Sequence, residues 1–133
     1  MREIFQNSAK HSIGFHLIWC TKYRHEILKD AVEVECKRIV AETCKANNWL
    51  LHAIEIMPDH IHLFVQVSHA DAPNQVVRLL KSTSAVYLFT KFPNLKARKF
   101  WGSGLWSRGA YYASVGSVTE EAVKKYIAEQ KKA

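Results

Sequence analysis

Between His11 and Thr21 the residues Ile13, Phe15, Leu17 and Trp19 alternate with Ser12, Gly14, His16 and Ile18. A period of two with one apolar face predicts a strand. From about Lys29 to Asn47 the period lengthens. Leu28, Val32, Cys36, Ile39, Val40, Thr43 and Cys44 form one stripe of an amphipathic helix, and Asn47-Asn48 suits its end. Trp49 to Met57 then predicts a second strand with Leu50, Ile54 and Ile56 inward. Pro58-Asp59 makes a tight turn, and His60 to Val67 returns as a third strand, so the two should form a hairpin. Pro73 suits the first turn of a helix running through Val76, Leu80, Thr83 and Tyr87 to about Lys91, where Pro93 breaks the pattern. Leu105 to Val115, with Trp106, Tyr111 and Tyr112, has strand character. Ser117-Val118-Thr119-Glu120 matches a capping box and opens a terminal helix over about residues 117–131.

Strand, helix, strand, strand, helix, strand is the order of an α+β, ferredoxin-like (RRM-like) fold. It predicts an antiparallel sheet with two helices on one face, here with an additional C-terminal helix, in a single domain over residues 1–133. The helices would cover Ile13, Phe15, Leu17, Ile54, Ile56, Ile61 and Leu63. The opposite face is left free, and alternation puts His60 and His62 there together. Two imidazoles on one open face can hold a metal, although such a pair also occurs without a ligand. His16 shares that face. A single strand histidine is commonly hydrogen-bonded structure, so it stays outside the metal set. Asp59 either completes the turn or orients the His60 ring, and the turn suffices to explain it.

Charge narrows the class of partner. Nineteen Lys and Arg against twelve acidic residues give a formal charge of +7, which favours a polyanion and nucleic acid first, without choosing DNA over RNA. Three cysteines with no C-x-x-C pair argue against a disulfide framework and a structural zinc site. Cys36 and Cys44 fall on the apolar helix stripe. No apolar run is long enough to span a bilayer and the first residues lack a signal-peptide pattern, so a cytoplasmic protein without membrane contact is expected.

In the terminal helix Tyr126 and Gln130 stand at i, i+4 and share one side. The Gln130 amide oxygen can complete a site of oxygen and imidazole ligands, with the Tyr126 phenol one turn away as a nucleophile beside a Lewis acid. Alternatively, Tyr126 packs beside Ala122, Val123 and Ile127. Candidate phosphate contacts are Lys22 and Arg24 after the first strand and Arg78 and Lys81 on one helical face. Lys96, Arg98, Lys99 and Arg108 are further candidates, gathered around Trp101 and Trp106. Gly116 either ends a strand or serves as a hinge for the helix that follows.

Several stretches together resemble the IS200/IS605 family of single-tyrosine transposases, within the wider HUH group of single-strand DNA nucleases. They are His16 to Arg24, Met57-Pro58-Asp59-His60-Ile61-His62-Leu63, Arg78 to Lys81, Phe100-Trp101-Gly102, Leu105 to Gly109 and Tyr126 to Gln130. The resemblance covers nearly the whole chain. It implies that Tyr126 attacks a scissile phosphate in single-stranded DNA, giving a 5′-phosphotyrosine link and a free 3′-hydroxyl without ATP. It further implies a divalent metal, Mg2+ or Mn2+, held by His60, His62 and Gln130. DNA with hairpin ends would be the substrate, and a homodimer would deliver each tyrosine in trans. A non-catalytic RNA- or single-stranded-DNA-binding module of RRM-like fold is the competing expectation. A histidine-based metal hydrolase acting through bound water is a third.

Overall fold

The computed structural model describes residues 12–99, 104–117 and 125. Strand β1 (Ser12–Cys20) leads through a short 3-10 turn (Lys22–Arg24) to helix α1 (Asp30–Ala46) and the hairpin β2 (Leu50–Met57) and β3 (His60–Ser68). Helix α2 (Pro73–Lys91), a short helix α3 (Pro93–Lys99) and strand β4 (Tyr111–Ser117) follow. The four strands lie in the order β2-β3-β1-β4 and every neighbouring pair is antiparallel. This is the expected ferredoxin-like sheet.

Alternation sorts the side chains as the pattern requires. Phe15, Leu17 and Trp19 from β1 and Ile61, Leu63, Val65 and Val67 from β3 are buried with Cys36, Val40 and Cys44 of α1 and Val76, Val77, Leu80 and Leu88 of α2. Each large aliphatic side chain buried in this layer contributes roughly 1.5–3 kcal/mol of transfer free energy. Helix α1 stops where Asn48 takes φ +59, a conformation asparagine tolerates better than most residues. Helix α2 opens with Pro73 at its first position and the Gln75 side chain accepting from the Ala72 N–H at 3.2 Å.

Three expectations need correction. Leu51, not Leu50, packs with Ile54 and Ile56 against the core. The β2–β3 register shifts between Leu51 and Ala53, so an extra residue at His52 moves everything before it to the other face. Pro93 ends α2 but also begins α3, which makes the basic run through Lys99 helical. The last strand starts at Tyr111 rather than Leu105. Before it, Leu105 and Trp106 plug the core, and Trp106 forms an isolated bridge with Thr21, the residue after β1. The Trp106 indole donates to Ser84 Oγ at 3.0 Å and stands edge-on to Trp19. Ser117, the expected N-cap, is the last residue of β4, paired with Ile13, and extended backbone is what an N-cap adopts. The rest of the expected tyrosine helix lies outside the described residues, apart from Lys125.

Candidate active site on the open sheet face

His60 and His62 enter β3 directly after the Pro58-Asp59 turn, on the central pair of strands. Cys20 of β1 stands opposite His60 and Ile18 opposite His62, while Met57 and Glu55 of β2 flank them on the other side. Both imidazoles therefore lie on the face away from α1 and α2 and are partly buried. That face is not bare throughout. Phe64 and Gln66, farther along β3, are buried too, with His52 bonded to the Gln66 amide oxygen at 2.9 Å and its ring 5.2 Å from that of Phe64. The histidine end is the more accessible one, and the His60 side chain retains 31% of its exposure.

Each histidine is held differently. The Asp59 Oδ1 atom lies 2.8 Å from His60 Nδ1, and Arg24 Nε donates to Asp59 Oδ2 at 2.9 Å. The His60 hydrogen bond, followed by Arg24, holds the Asp59 carboxyl below its ordinary pKa. An ionised carboxylate only accepts, so a hydrogen sits on His60 Nδ1 and Nε2 is the ring nitrogen left over. His62 Nε2 instead meets His16 Nε2, with ring centroids 4.1 Å apart. Burial, followed by the neighbouring His62, lowers the His16 pKa. For His62 burial again dominates, opposed by Glu55 and reinforced by His60. Both rings are thereby biased to the neutral form, the one that ligates metals.

Among the described residues no cluster of three or more His, Cys, Asp or Glu side chains is arranged to hold a metal. The expected third ligand Gln130 and the expected nucleophile Tyr126 lie outside the described residues. The donor set that is described still fits a divalent ion in kind. It has two imidazoles on one face, one with its remote nitrogen bonded to a carboxylate, the usual arrangement behind a metal-ligating histidine.

The basic candidates separate. Lys22 and Arg24 occupy the 3-10 turn beside the histidines, and Arg24 is already paired with Asp59. Arg78 and Lys81 both line a cavity of about 390 Å³ with Asn74, Val77, Gly109, Ala110 and Tyr112. Lys81 Nζ donates to the carbonyls of Ser107 at 2.9 Å and Gly109 at 2.6 Å, so its charge secures the loop before β4. Arg98 and Lys99 edge another cavity, whose lining includes Ile27, Val32 and Phe92 but not Trp106. Arg108 is exposed. Trp106 is a core residue and Trp101 lies outside the described residues. Gly116 sits in β4 opposite Gly14, one residue past a register shift that leaves Val115 unmatched. Among the described residues no helix is long and apolar enough to cross a membrane.

A family model described as IS200-like transposase matches residues 9–130. The chain is 35% identical over 120 residues to the ISDra2 transposase TnpA of Deinococcus radiodurans, a match covering 90% of this chain and 85% of that protein. It is 26% identical over 116 residues to the transposase for insertion sequence element IS200 of Salmonella typhimurium, covering 87% and 75%. A crystal structure described as that of a candidate transposase from Deinococcus radiodurans R1 superposes with a TM-score of 0.73 at 35% identity, covering 90% and 92% of the two chains. The structure of a REP-associated tyrosine transposase bound to a REP hairpin shares the fold, with a TM-score of 0.58 at 12% identity, covering 88% and 63%.

Proposed function

The chain belongs to the IS200-like transposases, and from that premise we propose that it cuts and rejoins single-stranded DNA through Tyr126. The phenol oxygen of Tyr126 would form a bond to the scissile phosphorus as the bond from phosphorus to the 3′ oxygen breaks. The phenol loses its proton and the departing 3′ oxygen gains one, leaving a 5′-phosphotyrosine and a 3′-hydroxyl. Attack by a 3′-hydroxyl on that link reverses the step. One phosphodiester is exchanged for another, so ATP is not needed.

His60, His62 and Gln130 would hold magnesium or manganese. Such an ion, when bound, would neutralise charge on the phosphate. The protein's share is positional. His60 offers Nε2 because Nδ1 is engaged with Asp59, and His62, biased to the neutral form, would exchange its Nε2 contact with His16 for the ion. DNA with hairpin ends is the proposed substrate, in keeping with the REP hairpin held by a protein of the same fold. Arg78, Arg98, Lys99, Arg108 and Lys22 are proposed to meet its phosphates. A homodimer with the tyrosine helix delivered in trans, and Gly116 as its hinge, completes the reading.

The observation that carries the proposal is the pair of histidines on the sheet face turned away from the helices, with His60 oriented by a carboxylate. An RRM-like binding module would use exposed aromatics on the central strands. Here the aromatic residue farther along β3, Phe64, is buried. The test is His60→Ala on a labelled hairpin oligonucleotide with Mn2+. Cleavage should vanish while hairpin affinity stays within about threefold, because phosphate contacts dominate affinity. Persistent cleavage, or loss of both together, refutes it.

A further inference from the structure

Arg24 stands in an unusual piece of backbone. Tyr23 and Arg24 adopt φ +59 and +55 in succession, the left-handed region that non-glycine residues enter at a cost. The turn is fastened at several points. Thr21, fully buried, donates its N–H to the Asp59 carbonyl at 3.0 Å and its hydroxyl to the His25 carbonyl at 2.7 Å. Arg24 N–H returns to the Thr21 carbonyl at 3.0 Å, and Lys22 N–H reaches the Leu105 carbonyl at 2.9 Å. The Thr21 N–H bond ties the turn to the Pro58-Asp59 corner, and the others hold its shape and anchor it to Leu105. Their outcome is that the Arg24 guanidinium meets Asp59 Oδ2 while Oδ1 meets His60.

We propose that Arg24 and Asp59 are positioning residues for His60. Asp59 fixes the imidazole as its Nδ1–H form with Nε2 outward, and Arg24 holds Asp59 in place rather than binding a DNA phosphate. The proposal rests on the reading of His60 as a metal-facing histidine. Three features favour it over an incidental surface ion pair. The two carboxylate oxygens are divided between two partners, so rotating Asp59 toward solvent breaks both bonds. The Asp59 side chain keeps only 22% of its exposure. The turn itself is fastened through Thr21 and Lys22, so the guanidinium reaches Asp59 from a fixed backbone.

The experiment reads two quantities on the full chain. Long-range proton–nitrogen correlation spectra of the histidine rings, recorded without metal at pH 8, report which His60 nitrogen carries the hydrogen. Mn2+ titration reports affinity. In the unsubstituted protein His60 should be protonated on Nδ1. Asp59→Ala should release it toward the Nε2–H form and weaken Mn2+ by roughly 10–100-fold. Asp59→Asn, whose amide offers one accepting oxygen where Arg24 and His60 each use one, should likewise shift His60 toward the Nε2–H form and serves where the alanine variant fails to fold. Arg24→Gln should weaken Mn2+ while leaving hairpin affinity within about twofold, since no phosphate contact is lost. An unchanged tautomer and Mn2+ affinity in Asp59→Ala, or in Asp59→Asn where the alanine variant does not fold, overturns the role of Asp59. Weaker hairpin binding with intact Mn2+ affinity in Arg24→Gln overturns the role of Arg24. If the unsubstituted protein binds no Mn2+, the metal reading falls, and the ion-free spectra still decide the tautomer.

Discussion

Replacing Lys81 by methionine keeps most of the side-chain stem and removes the ammonium that holds the loop before β4. Two bonds are lost, to the carbonyls of Ser107 and Gly109. A hydrogen bond with a charged partner contributes about 1.5–3 kcal/mol when buried. Here Gly109 is exposed and water can replace the lysine at its carbonyl, whereas Ser107 is half-buried. Counting the Ser107 bond near the low end and the Gly109 bond near zero gives a loss of about 1–2 kcal/mol. For a chain of this length that is a fall of roughly 3–8 °C in melting midpoint. Urea unfolding supplies the stability. Hairpin affinity measured across salt concentrations supplies the second readout, because each lost phosphate contact makes the slope of log K against log salt shallower by about 0.7–0.9. Lys81→Met should lower stability and leave that slope unchanged. Unchanged stability with a slope shallower by nearly one unit would make Lys81 a DNA contact and refute the reasoning.

Cys36 and Cys44 are fully buried and burial pushes both thiols up to about 12. A thiol reagent at pH 8 should therefore modify no more than Cys20 in the native protein and all three cysteines after unfolding, and rapid native labelling of a second thiol would contradict that packing. Glu35 accepts hydrogen bonds from Arg38, Lys91 and Tyr87, and these, Arg38 foremost, hold its carboxyl at about 2 against an ordinary 4.5. A depressed carboxylate stabilises the fold above its unfolded pKa and loses that contribution as pH falls toward the folded one. Between about pH 4.5 and 2, Glu35→Gln should thus lose less stability than the unsubstituted protein in acid unfolding monitored by circular dichroism. A steeper acid limb in the variant would reverse the sign.

Periodicity carries most of the fold because the core is a one-sided sheet under two amphipathic helices. The Phe15-Leu17-Trp19 and Ile61-Leu63-Val65-Val67 alternations translate directly into the buried face, and with them the common face of His16, His60 and His62. Alternation fails at His52, where an added residue reverses the parity of Leu50 and Leu51 and nothing in a run of apolar residues marks the slip. It fails again from Leu105 to Ala110, since strand-like composition there reflects core packing. The Ser107 N–H reaches the last carbonyl of β1, at Cys20, but the carbonyls of Ser107 and Gly109 are claimed by Lys81 instead of a strand partner. The site's donor chemistry was legible in part. Spacing exposes the histidine pair, and adjacency hints at Asp59. The Arg24–Asp59 link and the His16–His62 contact depend on side chains brought together across 35 and 46 residues. Tyr126 and Gln130 are tied to the site by helical spacing and family resemblance alone.

The account turns on Tyr126. Its most direct test is to incubate the protein with Mn2+ and a single-stranded hairpin oligonucleotide drawn from the DNA flanking its own gene, then map any covalent protein–DNA adduct by mass spectrometry of the digested complex. The account predicts one adduct, on the peptide bearing Tyr126, and none with Tyr126→Phe. Cleavage that survives Tyr126→Phe, or proceeds without an adduct, would contradict it.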